Sequence, residues 1–249
     1  MKKKTRVKIQ WKQFFPYYLM MLPGIIYFVI NNYLPMAGIT VAFRKINYRL
    51  GIFKSPWCDF DNFKFLFASG QFGTMVRNTI LYNLCFIIIG TVCAIAVAIL
   101  LNEIRSKIAS RFYQTIILLP YLMSWVIVSY LVYAFLSGET GFINNSILKP
   151  LGLQTINFYQ EQKYWPLIII FVNLWKNVGF SMIIYFSAIV GISNDLYESA
   201  RVDGASRWQQ IMKITLPCLK PTVITMFIIS ISKMFYSDFG LFYQVPKNS

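Results

Sequence analysis

Histidine is absent from this 249-residue sequence, and acids are scarce: nine Asp and Glu stand against 24 Lys and Arg. The commonest general base and metal ligand is therefore missing, and an enzyme would have to work with carboxylates, Lys, Tyr or Cys alone. No catalytic residue and no metal site is assigned. The four cysteines, Cys58, Cys85, Cys93 and Cys218, form no Cys-x-x-Cys pair, so neither zinc nor a disulfide framework is indicated. None of the 13 glycines is followed by Lys, which excludes the Gly-x-x-x-x-Gly-Lys-Ser/Thr phosphate loop. The chain is expected to carry no cofactor and to take its energy from elsewhere. There is no repeat, and no low-complexity segment beyond a basic leader. Charged residues make up only 13% of the chain, about half the share of an average soluble domain.

What is abundant is apolar. Hydrophobic residues reach 57% and aromatics 18%, and they fall in runs of about 20 or more, long enough to cross a ~30 Å hydrocarbon core. The expected fold class is all-α, a polytopic integral membrane protein. Five spans are drawn, at 15–39, 78–101, 112–136, 165–190 and 222–236. The leader, 1–14, holds Lys2, Lys3, Lys4, Arg6, Lys8 and Lys12, which places the N-terminus in the cytoplasm. With the apolar stretch Tyr17 to Ile30 behind it, the N-terminus resembles a signal peptide, but Asn31-Asn32-Tyr33-Leu34-Pro35 follows instead of a small-x-small site, so an uncleaved first span is expected. With that orientation the inner segments carry 13 basic residues in 53 positions and the outer ones nine in 75. The net charge of +15 is then explained by the lipid bilayer, with no nucleic-acid partner.

Within the second span, Gly90, Ala94 and Ala98 form a small-residue stripe that lets another helix approach. The outer segments hold Trp57, Phe60, Phe63, Phe65, Phe67, Phe142, Tyr159, Tyr164 and Trp165, which suit an interfacial belt or an external partner. In the fourth span, Asn173, Lys176 and Asn177 share one helical face, with Ser181 a turn further on and Trp175 nearby. A Lys near mid-membrane costs about 2.5–3.5 kcal/mol, so this face should turn into the bundle or a wet cavity. Amide and ammonium donors beside an indole suit sugar hydroxyls and ring faces, and a substrate pathway is one reading of the stripe. Hydrogen bonding to neighbouring helices or another subunit is the other. Lys233 either snorkels outward or pairs with Asp238.

The segment 191–221 is too long and too well capped for a mere connector. Asp195 with Glu198 makes a capping-box pattern, Gly204 ends the first helix, Ser206 with Gln209 starts a second, and Pro217 is expected to stop it. Trp208, Ile211 and Met212 give the second helix an apolar face. A surface for a cytoplasmic partner follows.

Glu198-Ser199-Ala200, then Asp203-Gly204-Ala205, then Ile214-Thr215-Leu216-Pro217 and Pro221, resemble the EAA loop of permease subunits of binding-protein-dependent ABC importers. Ser199 departs from the usual Ala at little cost in size. Weaker motifs run through the rest. Phe60-Asp61-Asn62-Phe63 and Arg77-Asn78-Thr79 look like the sugar-importer branch. Leu119-Pro120-Tyr121 with Ser124-Trp125, Gly138 to Asn145, and Phe235 to Gly240 are similar to permeases for complex carbohydrates and oligosaccharides.

The resemblance implies a type I ABC importer permease in the cell membrane, whose coupling helix docks on an ATPase subunit. By position, Glu198, Ser199, Ala200, Asp203, Gly204 and Ala205 form the docking element, and Leu216 and Pro217 lead into the next span. It further implies a dimer of ATPase subunits that bind the ATP, a second permease subunit and an extracellular solute-binding protein. A family member has a sixth span, so the last helix is expected to be missing after Ser249. Two alternatives are weaker. A membrane-integral enzyme acting on lipid-linked sugars would need clustered acids, and a non-transporting structural membrane protein would need neither the capped loop nor the polar stripe.

Overall fold

A computed structural model describes residues 11–247 with the exception of Phe53. Most of the basic leader, including Lys2, Lys3, Lys4, Arg6 and Lys8, lies outside the described residues. The regular structure of the described residues is helical, with no sheet among them beyond a single bridge between Arg44 and Trp57. The chain divides into two compact units, residues 1–74 and 75–249.

The first unit is built on α1 (Trp11–Phe28), which runs through a π turn at Val29–Tyr33 and a short helical turn into a 3-10 segment, Ala37–Phe43. Leu34-Pro35 therefore loosens the helix without ending it, because a π turn offers a wider ring of bonds upstream of the proline. The stretch Phe14–Phe43 is long and apolar enough to cross a bilayer, and none of its most apolar window is buried. Beyond it, Asn62 donates to the carbonyls of Ala42 (2.9 Å) and Arg44 (3.1 Å). Phe43 stacks on Trp57 at 5.7 Å and meets Phe60 and Phe63. These aromatics pin the start of α2 (Asp61–Ala68) to the helix end.

The second unit holds α3 (Gln71–Asn102) from Met75 onward, α4 (Lys107–Leu122), α5 (Trp125–Leu136), α6 (Trp165–Val190), α7 (Asn194–Val202), α8 (Arg207–Gln210) and α9 (Leu216–Ile231). The central element is α6. Its first half packs Trp165, Ile169 and Val172 against Val128, Val132 and Leu136 of α5, with Leu241 of a terminal π segment, Gly240–Gln244, and Val245 that follows it. Its second half packs Met182, Tyr185 and Ile189 against Ala94, Ala98 and Leu101 of α3 and Leu219 of α9. The Gly90-Ala94-Ala98 stripe is thus a packing face, with both alanines fully buried. A Cβ on Gly179 would collide with the Ile117 carbonyl, so α4 and α6 approach to backbone contact at that point.

Three expectations are corrected. The span at 112–136 is two helices, α4 and α5, bent by 99° at Met123-Ser124. Met123 and Ser124 are extended, and the Ser124 hydroxyl accepts from the Ile127 N–H to cap a new helix. Next, Pro217 does not stop the second helix of the loop. A π turn, Ile211–Thr215, absorbs the proline, and Arg207–Ile231 forms one stretch of membrane-spanning length that ends at Ile231 and not 236. Finally, Tyr159 and Trp165 do not line a belt: their rings meet at 5.2 Å within the core of this unit.

Candidate functional site: a polar cavity and a capped loop

A cavity of about 340 Å³ opens between α3, α6, α9 and the segment 233–242, within the range of small-molecule sites. Its polar groups come from Asn83 and Thr91 on α3, from Asn173, Asn177 and Ser181 on α6, and from Ser230, Lys233, Tyr236 and Asp238. Phe86 and Phe242 supply an aromatic wall. Asn83 spans two elements, donating to its own helix at Thr79 (2.9 Å) and to the Tyr236 carbonyl (3.1 Å). Asn177 donates to the Asn173 carbonyl at 3.0 Å, and no hydrogen bond to its amide oxygen is seen among the described residues.

The stripe on α6 divides. Asn173, Asn177 and Ser181 line the cavity, whereas Trp175 lies on the far side of the helix among apolar residues such as Phe135, Leu167 and Phe171. Lys176 does not line the cavity either. It is 6% exposed, and its ammonium donates to the carbonyls of Pro120 (3.2 Å), Tyr121 (2.9 Å) and Met123 (2.6 Å). The Tyr121 and Met123 carbonyls are released where α4 breaks, while that of Pro120 is shared with the Met123 N–H, and a cation at a helix C-terminus also meets the negative end of the helix dipole. The rings of Trp125 and Tyr121 stand 5.2 and 5.7 Å from the ammonium. Its position therefore makes it the cap of a bend.

Asp238 completes that corner. One carboxylate oxygen accepts from the Trp125 indole N–H at 2.9 Å. The other accepts from the amides of Gly240 (2.8 Å) and Leu241 (3.4 Å). No ion pair joins Asp238 to Lys233, contrary to one of the sequence expectations. Asn83 escaped the sequence reading, which held Trp125 only as part of a motif and Asp238 only as part of another and as a partner for Lys233. An amide inside an apolar run was the available signal for Asn83, but the other two are brought together only by folding.

On α7 and α8 the loop caps its own helices. The first cap is Ser193, whose hydroxyl accepts from the Asp195 N–H, so the expected Asp195–Glu198 box is replaced by a cap two residues earlier. At the other end Gly204 has φ +77°, with its N–H on the Arg201 carbonyl and the Ala205 N–H on Ala200. This is a Schellman arrangement, which needs a left-handed residue at that point. Ser206 and Gln209 form the expected capping box. Arg207 pairs with Glu103 at the end of α3, and the Tyr197 hydroxyl meets Thr215 at 2.9 Å. Glu198, Ser199, Asp203 and Gly204 are exposed, Ala200 and Ala205 half-buried. Leu216 is half-buried and Pro217 exposed where the chain enters α9. Leu196, Val202, Trp208 and Met212 leave large apolar surfaces uncovered, Val202 at 88% and Trp208 at 69% exposure.

Comparison with known proteins gives three findings. Residues 87–237 match the family described as binding-protein-dependent transport system inner membrane component. Two proteins of Bacillus subtilis (strain 168) are similar along most of the chain. Protein LplB is 34% identical over 231 residues, covering 93% of this chain and 72% of its own length. The polygalacturonan/rhamnogalacturonan transport system permease protein YteP is 37% identical over 229 residues, covering 92% and 71%. Among solved structures, a chain of a bacterial ABC transporter involved in the import of the acidic polysaccharide alginate superposes with a TM-score of 0.83 at 38% identity, over 95% of this chain and 81% of that one.

Proposed function

From the premise that the chain belongs to the family of binding-protein-dependent transport system inner membrane components, we propose that it forms part of the translocation pathway for an oligosaccharide. It is an ABC importer permease and a transport subunit, not an enzyme. The oligosaccharide reading draws on its similarity to YteP and to the alginate transporter, and on a cavity that offers amides, hydroxyls and aromatic faces together. Asn173, Asn177 and Ser181 would line the pathway. Lys176 and Trp175 are left out of it, the first as a helix cap and the second on the opposite face.

The observation that carries the mechanism is mechanical continuity. Arg207–Ile231 is one stretch of helix. Trp208 and Met212 stand exposed at one end, and Met226 and Ser230 line the cavity at the other. A partner that moves α7 and α8 would therefore move a wall of the cavity, as rigid helices transmit displacement through packed contacts. In our reading that partner is an ATPase dimer, which binds the ATP. Glu198, Ser199, Ala200, Asp203, Gly204 and Ala205 present the docking surface, and Leu216 and Pro217 carry its motion into α9. A second permease subunit would cover the surfaces that this chain leaves apolar, and a solute-binding protein would deliver cargo from outside. The basic leader and the excess of basic residues in the inner segments support a cytoplasmic N-terminus.

The test is capture of the ATPase by the tagged permease, followed by uptake of labelled oligosaccharide. Glu198→Lys is expected to abolish both while membrane insertion stays normal. Full capture and uptake by this variant would sink the docking assignment.

A further inference from the structure

We propose that the cavity is built for an acidic saccharide, with Lys233 as the residue that pairs with a carboxylate of the cargo. This rests on the reading of the cavity as a sugar pathway. Two charged residues line the cavity, Lys233 and Asp238. Asp238 is occupied: its two carboxylate oxygens accept from Trp125, Gly240 and Leu241. Lys233 has no counterpart. No ion pair or side-chain hydrogen bond ties its ammonium, which is exposed, to any described residue, and the buried lysine of α6, Lys176, is consumed by the α4–α5 bend. The backbone around Lys233 is fixed, since its N–H bonds the Ser230 carbonyl and Tyr236 N–H bonds its own carbonyl. The ammonium is thus presented on an ordered turn at the cavity wall.

A cation on a wall of amides and hydroxyls, facing an aromatic wall, matches the surface of a uronic acid. Its ring face stacks, its hydroxyls bond to neutral groups and its carboxylate takes the ammonium. A neutral sugar forgoes that pairing and leaves the exposed ammonium to water, so the carboxylate is what distinguishes the favoured cargo. The inference separates two classes of cargo and not merely sugars from other solutes.

The experiment uses the assembled importer in proteoliposomes. The cargo probes are trisaccharides of galacturonate, glucuronate and mannuronate, each beside its neutral methyl ester. Wild type is expected to take up at least one uronate in preference to its ester by tenfold or more. Lys233→Gln should erase that preference by lowering uptake of the acid relative to the ester at least tenfold, and Lys233→Arg should retain it. An unchanged acid-to-ester ratio in Lys233→Gln overturns the proposal, as does a wild type that prefers the esters. If Lys233→Gln instead releases the second permease from the complex, the ammonium pairs with that subunit and the proposal falls. Uptake of neutral sugars alone would overturn the acidic class but leave the oligosaccharide reading standing, whereas no uptake of any saccharide would remove both.

Discussion

The bend between α4 and α5 and the loop from Gly191 to Thr215 both interrupt helices, and they satisfy the freed backbone groups in opposite ways. The loop uses residues next to it in sequence: Ser193, Gly204, and Ser206 with Gln209. The bend takes a cation from α6, more than 50 residues away, to hold three carbonyls, although Ser124 starts α5 locally. A surface loop has water as a reserve partner for any group left over, but a break inside the bundle has none, so the partner must be built in. The loop can therefore be exchanged or moved piecemeal. The bend holds as a unit with α6 and, through Trp125 and Asp238, with the terminal segment.

The largest effect should follow from Lys176→Ala. With the Tyr121 and Met123 carbonyls stripped of their ammonium donor and Pro120 left with the Met123 N–H alone, the loss is on the order of 3–5 kcal/mol, read as a lowered Tm of the detergent-purified protein and as new protease cleavage near residues 120–126. Near-wild-type stability would show that the bend also has a local solution and would erase the contrast. Substitutions in the loop should cost less. Gly204→Ala forces a Cβ into the left-handed region for about 1–2 kcal/mol, and Ser206→Ala removes one cap for about 1 kcal/mol. Both should fold and insert, and a thermal melt that shows the Gly204 variant as damaged as the Lys176 one would blur the distinction. The smallest effect tests the rule from the other side. The Tyr159 hydroxyl is buried with no hydrogen-bond partner, and burial pushes its pKa up to about 12, so it stays neutral. Tyr159→Phe removes an unpaired group and should leave Tm unchanged or slightly raised; a clear loss would mean that the hydroxyl is satisfied by a partner subunit or by water.

Legibility in the sequence follows the same division. The Ser206–Gln209 box, the turn at Gly204 and the small-residue stripe of α3 were readable, because each depends on neighbours within about four residues or on one helical face. The first cap was misplaced by two residues, since Ser193 and Asp195 both suit the position and the choice between them is made by backbone angles. Pro217 misled for a related reason: a proline is a stop only if the helix keeps its α register, and the π turn before it does not.

Composition and hydropathy by themselves determined that this is an all-helical membrane protein, because a lipid-exposed backbone must satisfy its own hydrogen bonds. The spacing in 191–221 likewise determined the capped loop and carried the resemblance to the family. Only the tertiary structure decided what the polar residues of α6 do. Asn173, Lys176 and Asn177 have the same helical address, yet two of them face a cavity and one ends on the carbonyls of a broken helix. It also decided that Asp238 serves Trp125 and the terminal segment, which leaves Lys233 free. Periodicity specifies which face a side chain shares, whereas its partner is set by whatever other helix folds against that face.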